Sequence, residues 1–365
     1  MRSVLLLGAG KIGQAIARYL STAGDYDVVA ADVSADALRA LEGVARVRTV
    51  TIRSSEEREI LPLLKDRSAV LSALPYRFNA PVVRACLESG ASYFDLTEDV
   101  QNSKFVKEVA PRAREGQIFM PQCGLAPGFV GIAGYDLVRK FEKVSRVSLR
   151  VGALPRFPVG RFKYALTWST DGLVHEYCAP CEAVRDGKLT QLMPLEGLET
   201  LCIEGQEYEC FNTSGGVGDL CDTMLKRHPE VRTVEYKTIR YPGHCRLLRF
   251  LLQEFRLGED EERAKALFEH AIPTTTQDVV IVYCTVRGTR NGKDTMLSDV
   301  RKVYAGEFMG SFSTAIQITT ATGLLACVDL HFAGKLPPRG FVRQEDVKLL
   351  DFLDNRFGRA YAADI

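Results

Sequence analysis

The run Val4-Leu-Leu-Leu followed by Gly8-Ala-Gly-Lys-Ile-Gly13 constrains this chain more than any other stretch. A short apolar segment that breaks into three spaced glycines and resumes as a helix has few physical solutions. Gly8 permits a tight turn, Gly10 allows the backbone to approach a pyrophosphate, and Gly13 lets the helix pack closely on the strand. Ile12, Ile16, Ala17 and Leu20 then recur at helical spacing. A helix N-terminus beginning at Lys11 and Ile12 offers unpaired N–H groups and a positive dipole end to a phosphate. A second apolar strand over 27–31 ends in Asp32, about 20 residues beyond the motif, where an acid hydrogen-bonds a ribose 2′-OH. Gly8, Gly10, Lys11, Ile12, Gly13 and Asp32 are therefore the candidate cofactor-binding residues.

The alternation continues. A helix from Ser34 or Asp36, a strand over 47–52, a helix starting in Ser54-Ser-Glu-Glu57 and a strand over 69–74 follow in order. In an open parallel sheet the end of the fourth strand lies across the switch point from the first, which adds Ser72, Ala73, Leu74 and Pro75 to the cofactor candidates. Helices over 80–89 and 102–114 lead into strands over 92–95 and 117–121, making six strands. The segments 96–99 and Gln122-Cys-Gly-Leu-Ala-Pro-Gly128 leave the C-terminal ends of the last two strands, where such sheets hold their ligands. The predicted fold is α/β: a Rossmann doubly wound parallel sheet joined to a second α+β domain on a mixed or antiparallel sheet. The expected boundaries are 1–125 for the dinucleotide domain, 126–310 for substrate binding and oligomerisation, and 311–365 for C-terminal helices returning to the first domain.

In the second region the texture changes to strands and turns. Hairpins are expected at Asp186-Gly187 and Asn291-Gly292, and helices over 217–227, 246–255 and 261–270. A long apolar helix begins near 311, and a last helix is expected over 344–357. There is no internal repeat and no low-complexity tract.

Charge is balanced, 47 Lys and Arg against 46 Asp and Glu, so nothing favours nucleic acid or an anionic membrane as partner. Ten scattered cysteines in 365 residues read as reduced thiols and a cytoplasmic setting. Cys178-Ala-Pro-Cys181 has the spacing of a redox pair or half a zinc site, but no second pair follows, so no metal is expected. Lys11 and Arg18 interrupt the N-terminal apolar run too early for a signal peptide. The segment 315–333 carries threonines, Asp329 and His331, against a membrane span.

With these residues laid out, the chain resembles the reductase-type saccharopine dehydrogenase family, and most closely its lysine 6-dehydrogenase branch. The resemblance rests on Gly8 to Gly13, Leu74-Pro-Tyr-Arg-Phe-Asn79, Phe94-Asp-Leu96, Gly124-Leu-Ala-Pro-Gly128, Trp168-Ser-Thr-Asp-Gly172 with Glu176-Tyr177, Asn212-Thr-Ser-Gly-Gly216 and Tyr236-Lys-Thr-Ile-Arg-Tyr-Pro-Gly-His244. It implies an NAD(P)-binding Rossmann domain, amine or imine redox chemistry, and a homodimer or homotetramer through the second-domain sheet. The reaction expected is NAD-dependent oxidative deamination of the side-chain amine of L-lysine to allysine, which cyclises to piperideine-6-carboxylate, with ammonia released. A saccharopine or carboxynorspermidine reductase is the enzymatic alternative, and a dinucleotide sensor or scaffold without turnover is the alternative of another class.

Oxidising a carbon that bears an amine requires the neutral amine, whereas a lysine ammonium has a pKa near about 10.4, so a proton must first be removed. The candidates for that step or for ammonium binding are Asp95, Asp171, Glu176, Lys237 and His244. Arg240 is the candidate for the substrate carboxylate, with Lys237 expected on the same side of the same strand. Thr213, Ser214 and Gly124 complete the substrate-binding set. Asp32 repels a 2′-phosphate and Val33 brings no compensating arginine, which favours NAD; Arg53 folding back toward the same ribose keeps NADP as the lesser alternative.

Overall fold

The computed structural model describes residues 1–362. The last three residues of the segment 311–365 lie outside the described residues. The chain forms two compact units: Met1–Phe129 with Glu307–Ser313 and Gln317–Ala362, and Val130–Gly306 with Thr314–Ile316.

In the first unit the elements alternate as the hydrophobic pattern dictates: β1 Arg2–Leu7, α1 Lys11–Ala23, β2 Tyr26–Asp32, α2 Ala35–Arg39, β3 Val47–Thr51, α3 Glu57–Ile60, β4 Ala69–Ser72, α4 Asn79–Ser89, β5 Ser92–Asp95, α5 Val100–Val109 and β6 Ile118–Met120. Strands β4, β5 and β6 are buried along their length and β1 from Val4 onward, as expected where helices cover both faces of a parallel sheet. One core cluster joins Leu5, Leu7, Val29, Val70, Tyr93 and Phe119 to helix residues such as Val82, Cys86 and Val106.

The second unit contains α6 Phe129–Val138, whose first residue closes the first unit, then β7 Lys143–Pro155, α7 Thr170–Cys178, β8 Cys181–Arg185, β9 Lys188–Leu192, β10 Glu199–Ile203, β11 Gln206–Asn212, α8 Leu220–Arg227, β12 Thr233–Arg240, α9 His244–Arg249, α10 Glu261–Ala271, β13 Asp278–Arg290 and β14 Lys293–Tyr304. The sheet runs β10-β11-β12-β7-β13-β14, with β8 and β9 attached beside β12. Only β12 and β7 pair in parallel, so the sheet is mixed. Both hairpins form where the turn residues demanded: Asp186 and Gly187, and Asn291 and Gly292, all have positive φ, the requirement of a two-residue turn that matches strand twist.

The chain then makes β15 Gly306–Phe308, β16 Ser311–Ser313, α11 Ala315–Phe332, β17 Gly340–Phe341 and α12 Leu349–Asp354. The first sheet has the order β17-β6-β5-β4-β1-β2-β3, every neighbouring pair parallel. The order reverses between β1 and β4, the switch point of a doubly wound fold.

Three expectations need correction. The first sheet has a seventh strand, β17, too short at two residues for periodicity to reveal. The last helix is broken rather than continuous over 344–357: Val347 and Asn355 are extended, and the Asn355 carboxamide accepts from Phe357 N–H at 2.9 Å in place of a helical bond. The helix expected over 246–255 is α9 followed by a π-helical turn, Phe250–Glu254. By length and composition α11 is apolar enough to cross a membrane, and 78% of it is buried inside the protein.

Candidate functional site

The glycine turn after β1 differs at each position in what a side chain would meet. Gly8 has φ +96°, and a Cβ there would lie 2.8 Å from the Ala73 carbonyl oxygen. At Gly13 a Cβ would fall 1.9 Å from the Gly8 carbonyl oxygen, so only glycine allows α1 to sit this close to the turn. Around Gly10 nothing lies within 4 Å. That open face is flanked by the first turn of α1, whose N-cap is Gly10 and which has no side-chain cap, leaving the N–H groups that include Lys11 and Ile12 free of an intrahelical acceptor. A pyrophosphate fits this cradle on steric and electrostatic grounds.

Asp32 ends β2 with Oδ2 accepting from Ala9 N–H at 2.6 Å and Oδ1 from Ser34 N–H at 2.8 Å. The carboxylate is thereby fixed beside the glycine turn. Arg53 does not fold back toward it; its guanidinium donates to Glu59 at 2.6 Å. Across the switch point, Ala73 N–H extends the β4 pairing by donating to Leu7 O at 2.8 Å. Leu74 packs on the core of the sheet, and Pro75 is exposed where the chain leaves β4. Ser72 differs from expectation. Its hydroxyl is buried and donates to Asn79 Oδ1 at 2.7 Å, turning inward from the surface a cofactor would touch.

That bond begins a buried polar network centred on Asp95. Oδ2 of Asp95 accepts from Tyr93 OH at 2.7 Å, Asn102 Nδ2 at 3.0 Å and Asn79 Nδ2 at 3.4 Å; Oδ1 accepts from Gln122 N–H at 2.8 Å and Thr97 N–H at 3.1 Å. Burial pushes its carboxyl up to about 6 against the pull of these donors. Its lone pairs are occupied by these donors and its side chain has no solvent exposure. It is a positioning residue that ties the end of β5 to the 122–128 loop. Within that loop Gly124 packs against Gly323 of α11, where a Cβ would meet the Gly124 carbonyl oxygen at 2.6 Å.

The second unit gathers a different cluster on one face of β12. Strand side chains alternate with period two, so Tyr236, Thr238 and Arg240 share that face and Lys237 points to the other. Lys237 and Arg240, three residues apart, therefore do not act together. Lys237 Nζ donates to Gly197 O at 2.7 Å and Glu199 at 3.0 Å, and Glu199 also holds Arg150 Nε at 2.6 Å.

Arg240 is 2% exposed and almost fully bonded. Its Nε donates to Tyr177 OH at 2.8 Å, its Nη1 to Thr238 Oγ1 and to Ile239 O, and its plane lies over the rings of Tyr164 and Tyr177 at 5.0 and 5.5 Å. Only Nη2 is left without a hydrogen bond, 3.7 Å from Glu176 Oε2. A bidentate clamp is therefore replaced by a single charged donor with a carboxylate beside it.

Glu176 lies on α7 with 13% of its side chain exposed. Burial raises its carboxyl above the ordinary range, opposed by Arg240. Thr213 faces it without a well-formed hydrogen bond. Ser214 serves the fold: its N–H donates to Glu176 O at 3.1 Å and its hydroxyl to His175 O at 3.4 Å, which anchors the end of α7. Tyr236 lies under Gly216, where a Cβ would be 2.2 Å from the ring.

His244 is buried, and burial together with Arg240 holds it down to about 3, so its ring is neutral. Nδ1 is 2.9 Å from Phe162 O and must carry the proton, because a carbonyl can only accept. Nε2, 3.2 Å from Tyr177 OH, is then the acceptor. The order of donation is Arg240 to Tyr177 to His244 to the Phe162 carbonyl. His244 orients Tyr177 and has no free nitrogen for proton transfer.

Asp171 does not join this cluster. It sits in the first turn of α7, where an acid suits the helix dipole, is 60% exposed and pairs with Lys265 at 2.8 Å. Cys178 and Cys181 are free thiols pushed up by burial to about 11 and 12, which keeps them protonated. Sequence reasoning missed Tyr164, Tyr177 and Thr238 around Arg240, and Asn79, Tyr93 and Asn102 around Asp95. For Thr238 a signal existed: it lies two residues before Arg240 in a strand.

A family model described as the saccharopine dehydrogenase NADP binding domain matches residues 4–120, and one described as the saccharopine dehydrogenase C-terminal domain matches 124–356. Saccharopine dehydrogenase [NADP(+), L-glutamate-forming] of Saccharomyces cerevisiae is 23% identical over 279 residues, 71% of this chain and 59% of that protein. Mitochondrial alpha-aminoadipic semialdehyde synthase of Rattus norvegicus is 21% identical over 366 residues, 92% of this chain and 37% of that protein. The chain thus spans less than two thirds of the length of these curated relatives. Among solved structures, apo saccharopine dehydrogenase (L-Glu forming) from Saccharomyces cerevisiae superposes with a TM-score of 0.76 at 15% identity, covering 99% of this chain and 96% of that one, a likeness of fold.

Proposed function

This chain belongs to the saccharopine dehydrogenase family, and within it we propose an NAD-dependent oxidation of the side-chain amine of a free α-amino acid, with L-lysine as substrate and ammonia as product. The carrying observation is the pairing of one open guanidinium nitrogen with one carboxylate, Arg240 Nη2 and Glu176 Oε2 at 3.7 Å. An α-amino acid head carries one carboxylate and one ammonium, the complement of that pair. Arg240 Nη2 takes the carboxylate and Glu176 the ammonium, while Tyr177 and Thr238 hold the guanidinium in plane. Saccharopine brings further carboxylates, whereas among the described residues Arg240 is the guanidinium that bonds within this cluster.

The bound dinucleotide would accept the hydride from the amine-bearing carbon. The glycine turn and the first turn of α1 would hold its pyrophosphate. Asp32, with both oxygens already oriented by Ala9 and Ser34 N–H, supports NAD because it accepts a ribose hydroxyl and repels a 2′-phosphate. After the hydride leaves, water adds to the iminium carbon and ammonia departs, giving the aldehyde.

Saccharopine oxidation is the second reading, favoured by the names of the relatives. The test supplies NAD and NADP separately with L-lysine, saccharopine and ornithine, following reduced cofactor and ammonia together. Equimolar NADH and ammonia from lysine is the expected result. Turnover confined to saccharopine, without ammonia, would transfer the assignment to the second reading, and silence across the panel with intact NAD binding would favour a sensor. Preference for NADP would overturn the role given to Asp32.

A further inference from the structure

A cavity of about 320 Å³ opens in the first unit between the last two turns of α1, the loop after α2 and the turn that joins β15 to β16. Its volume lies at the lower end of the range for small-molecule sites, about 300–1,000 Å³. The glycine turn suited to a pyrophosphate is at the opposite end of α1, a helix of 13 residues and therefore about 20 Å long, so this space is separate from the dinucleotide cradle. Two opposite charges line it without meeting. Arg18 spends Nη2 on the Ala40 carbonyl at 2.6 Å and keeps its other donors. The Glu42 side chain takes part in no hydrogen bond or ion pair among the described residues. Because α1 ends here, its negative dipole end adds to Glu42 as an attraction for a cation. From the hairpin side, Ser311 buries its hydroxyl oxygen without a hydrogen-bond partner among the described residues, a cost that a ligand acceptor would relieve.

Val44 and Met309, both half-buried, give the cavity an apolar wall. Met309 has φ +48° and Gly310 φ +77°, in a two-residue turn whose first position usually holds Asn, Asp or Gly. Methionine does nothing for such a turn; it supplies a flexible apolar side chain that adapts to whatever packs against it. Tyr19 meets Phe308 edge-on at 5.2 Å, which fixes the hairpin to α1 and holds the walls together.

We propose that this cavity binds a free aliphatic α-amino acid, with Arg18 and Ser311 on the carboxylate, Glu42 on the ammonium, and Val44 and Met309 against the side chain. A bare anion such as phosphate would face Glu42 and the negative end of α1, and a bare cation would face Arg18. A molecule that carries both charges satisfies each. The site is independent of the reading given to Arg240 and Glu176, which belong to the second unit.

The test is equilibrium dialysis of the full chain against radiolabelled L-leucine, which has no side-chain amine to oxidise. The Glu176→Gln chain, in which the amino-acid site of the second unit is impaired, should still bind one leucine per chain with a Kd below about 1 mM. In that background Arg18→Ala and Glu42→Gln should each weaken binding at least tenfold, and Thr22→Trp, whose indole fills the cavity, should abolish it. Arg18, Thr22 and Glu42 are exposed, so circular dichroism should match the parent. Unlabelled L-leucine should displace the label, whereas N-acetyl-L-leucine and L-leucinamide, each lacking one charge, should not. Less than one leucine per chain at about 1 mM in the Glu176→Gln chain overturns the proposal. So does binding that survives the Arg18, Glu42 and Thr22 substitutions, or displacement by either singly charged analogue.

Discussion

Replacing Gly10 or Gly13 with alanine adds the same methyl group three residues apart and should produce opposite phenotypes. At Gly13 the new Cβ would stand 1.9 Å from the Gly8 carbonyl oxygen and 2.9 Å from its carbon. Backbone must retreat by more than about 1 Å to restore contact distance, an overpacking cost of about 1–3 kcal/mol. For a unit of this size that lowers the melting temperature by about 2–12 °C. At Gly10 no atom lies within 4 Å and the backbone, at φ −69° and ψ −171°, suits any residue. The apo protein should lose about 1 kcal/mol or less, the difference between glycine and alanine at a helix N-cap. The methyl group occupies the space reserved for the pyrophosphate, so NADH affinity should fall at least tenfold, equivalent to about 1.4 kcal/mol. Thermal melting of the apo variants and fluorescence titration with NADH separate the two effects. Wild-type NADH affinity in Gly10→Ala, or wild-type melting in Gly13→Ala, would refute the assignment of space in this turn.

The remaining predictions concern the second unit. Burial pushes Glu235 up, but hydrogen bonds from Arg146, Arg185 and Ser148 outweigh it and bring it down to about 2. The folded value lies below the unfolded one, so this stabilisation is present above about pH 4.3 and disappears as pH falls through about 2, worth about 3 kcal/mol; urea midpoints of the wild type and Glu235→Gln should converge at low pH, and equal pH slopes would count against it. Tyr177→Phe leaves the Arg240 Nε–H and His244 Nε2 unpaired in a buried site, so unfolding free energy should drop by about 1–3 kcal/mol with KM raised more than kcat falls; an unchanged urea midpoint would dismiss the relay. Asp171→Ala, which removes only an exposed pair with Lys265, should cost about 1 kcal/mol at most in urea unfolding and leave turnover intact, whereas Glu176→Gln should raise KM for the amino acid without changing NADH affinity, and the reverse pattern would relocate the ammonium site.

The sequence by itself determined what short-range sterics control. Gly8 and Gly13 announce their turn because one takes a positive φ and the other leaves room for the Gly8 carbonyl, and the Asp186-Gly187 and Asn291-Gly292 hairpins follow from the positive φ that only a few residues accept. The parallel sheet and its switch point were legible for the same reason, since apolar runs and helical spacing repeat along the chain. Tertiary structure alone decided which polar residues remain free to react. Asp95 looked available at a strand end, yet its oxygens are claimed by residues 79, 93, 97, 102 and 122, drawn from separate segments. Arg240 kept its charge and lost its fork, because Tyr177 and Thr238 take the donors that a carboxylate clamp would need. Hydrogen-bond saturation depends on which distant groups converge, and no local pattern in the chain encodes it.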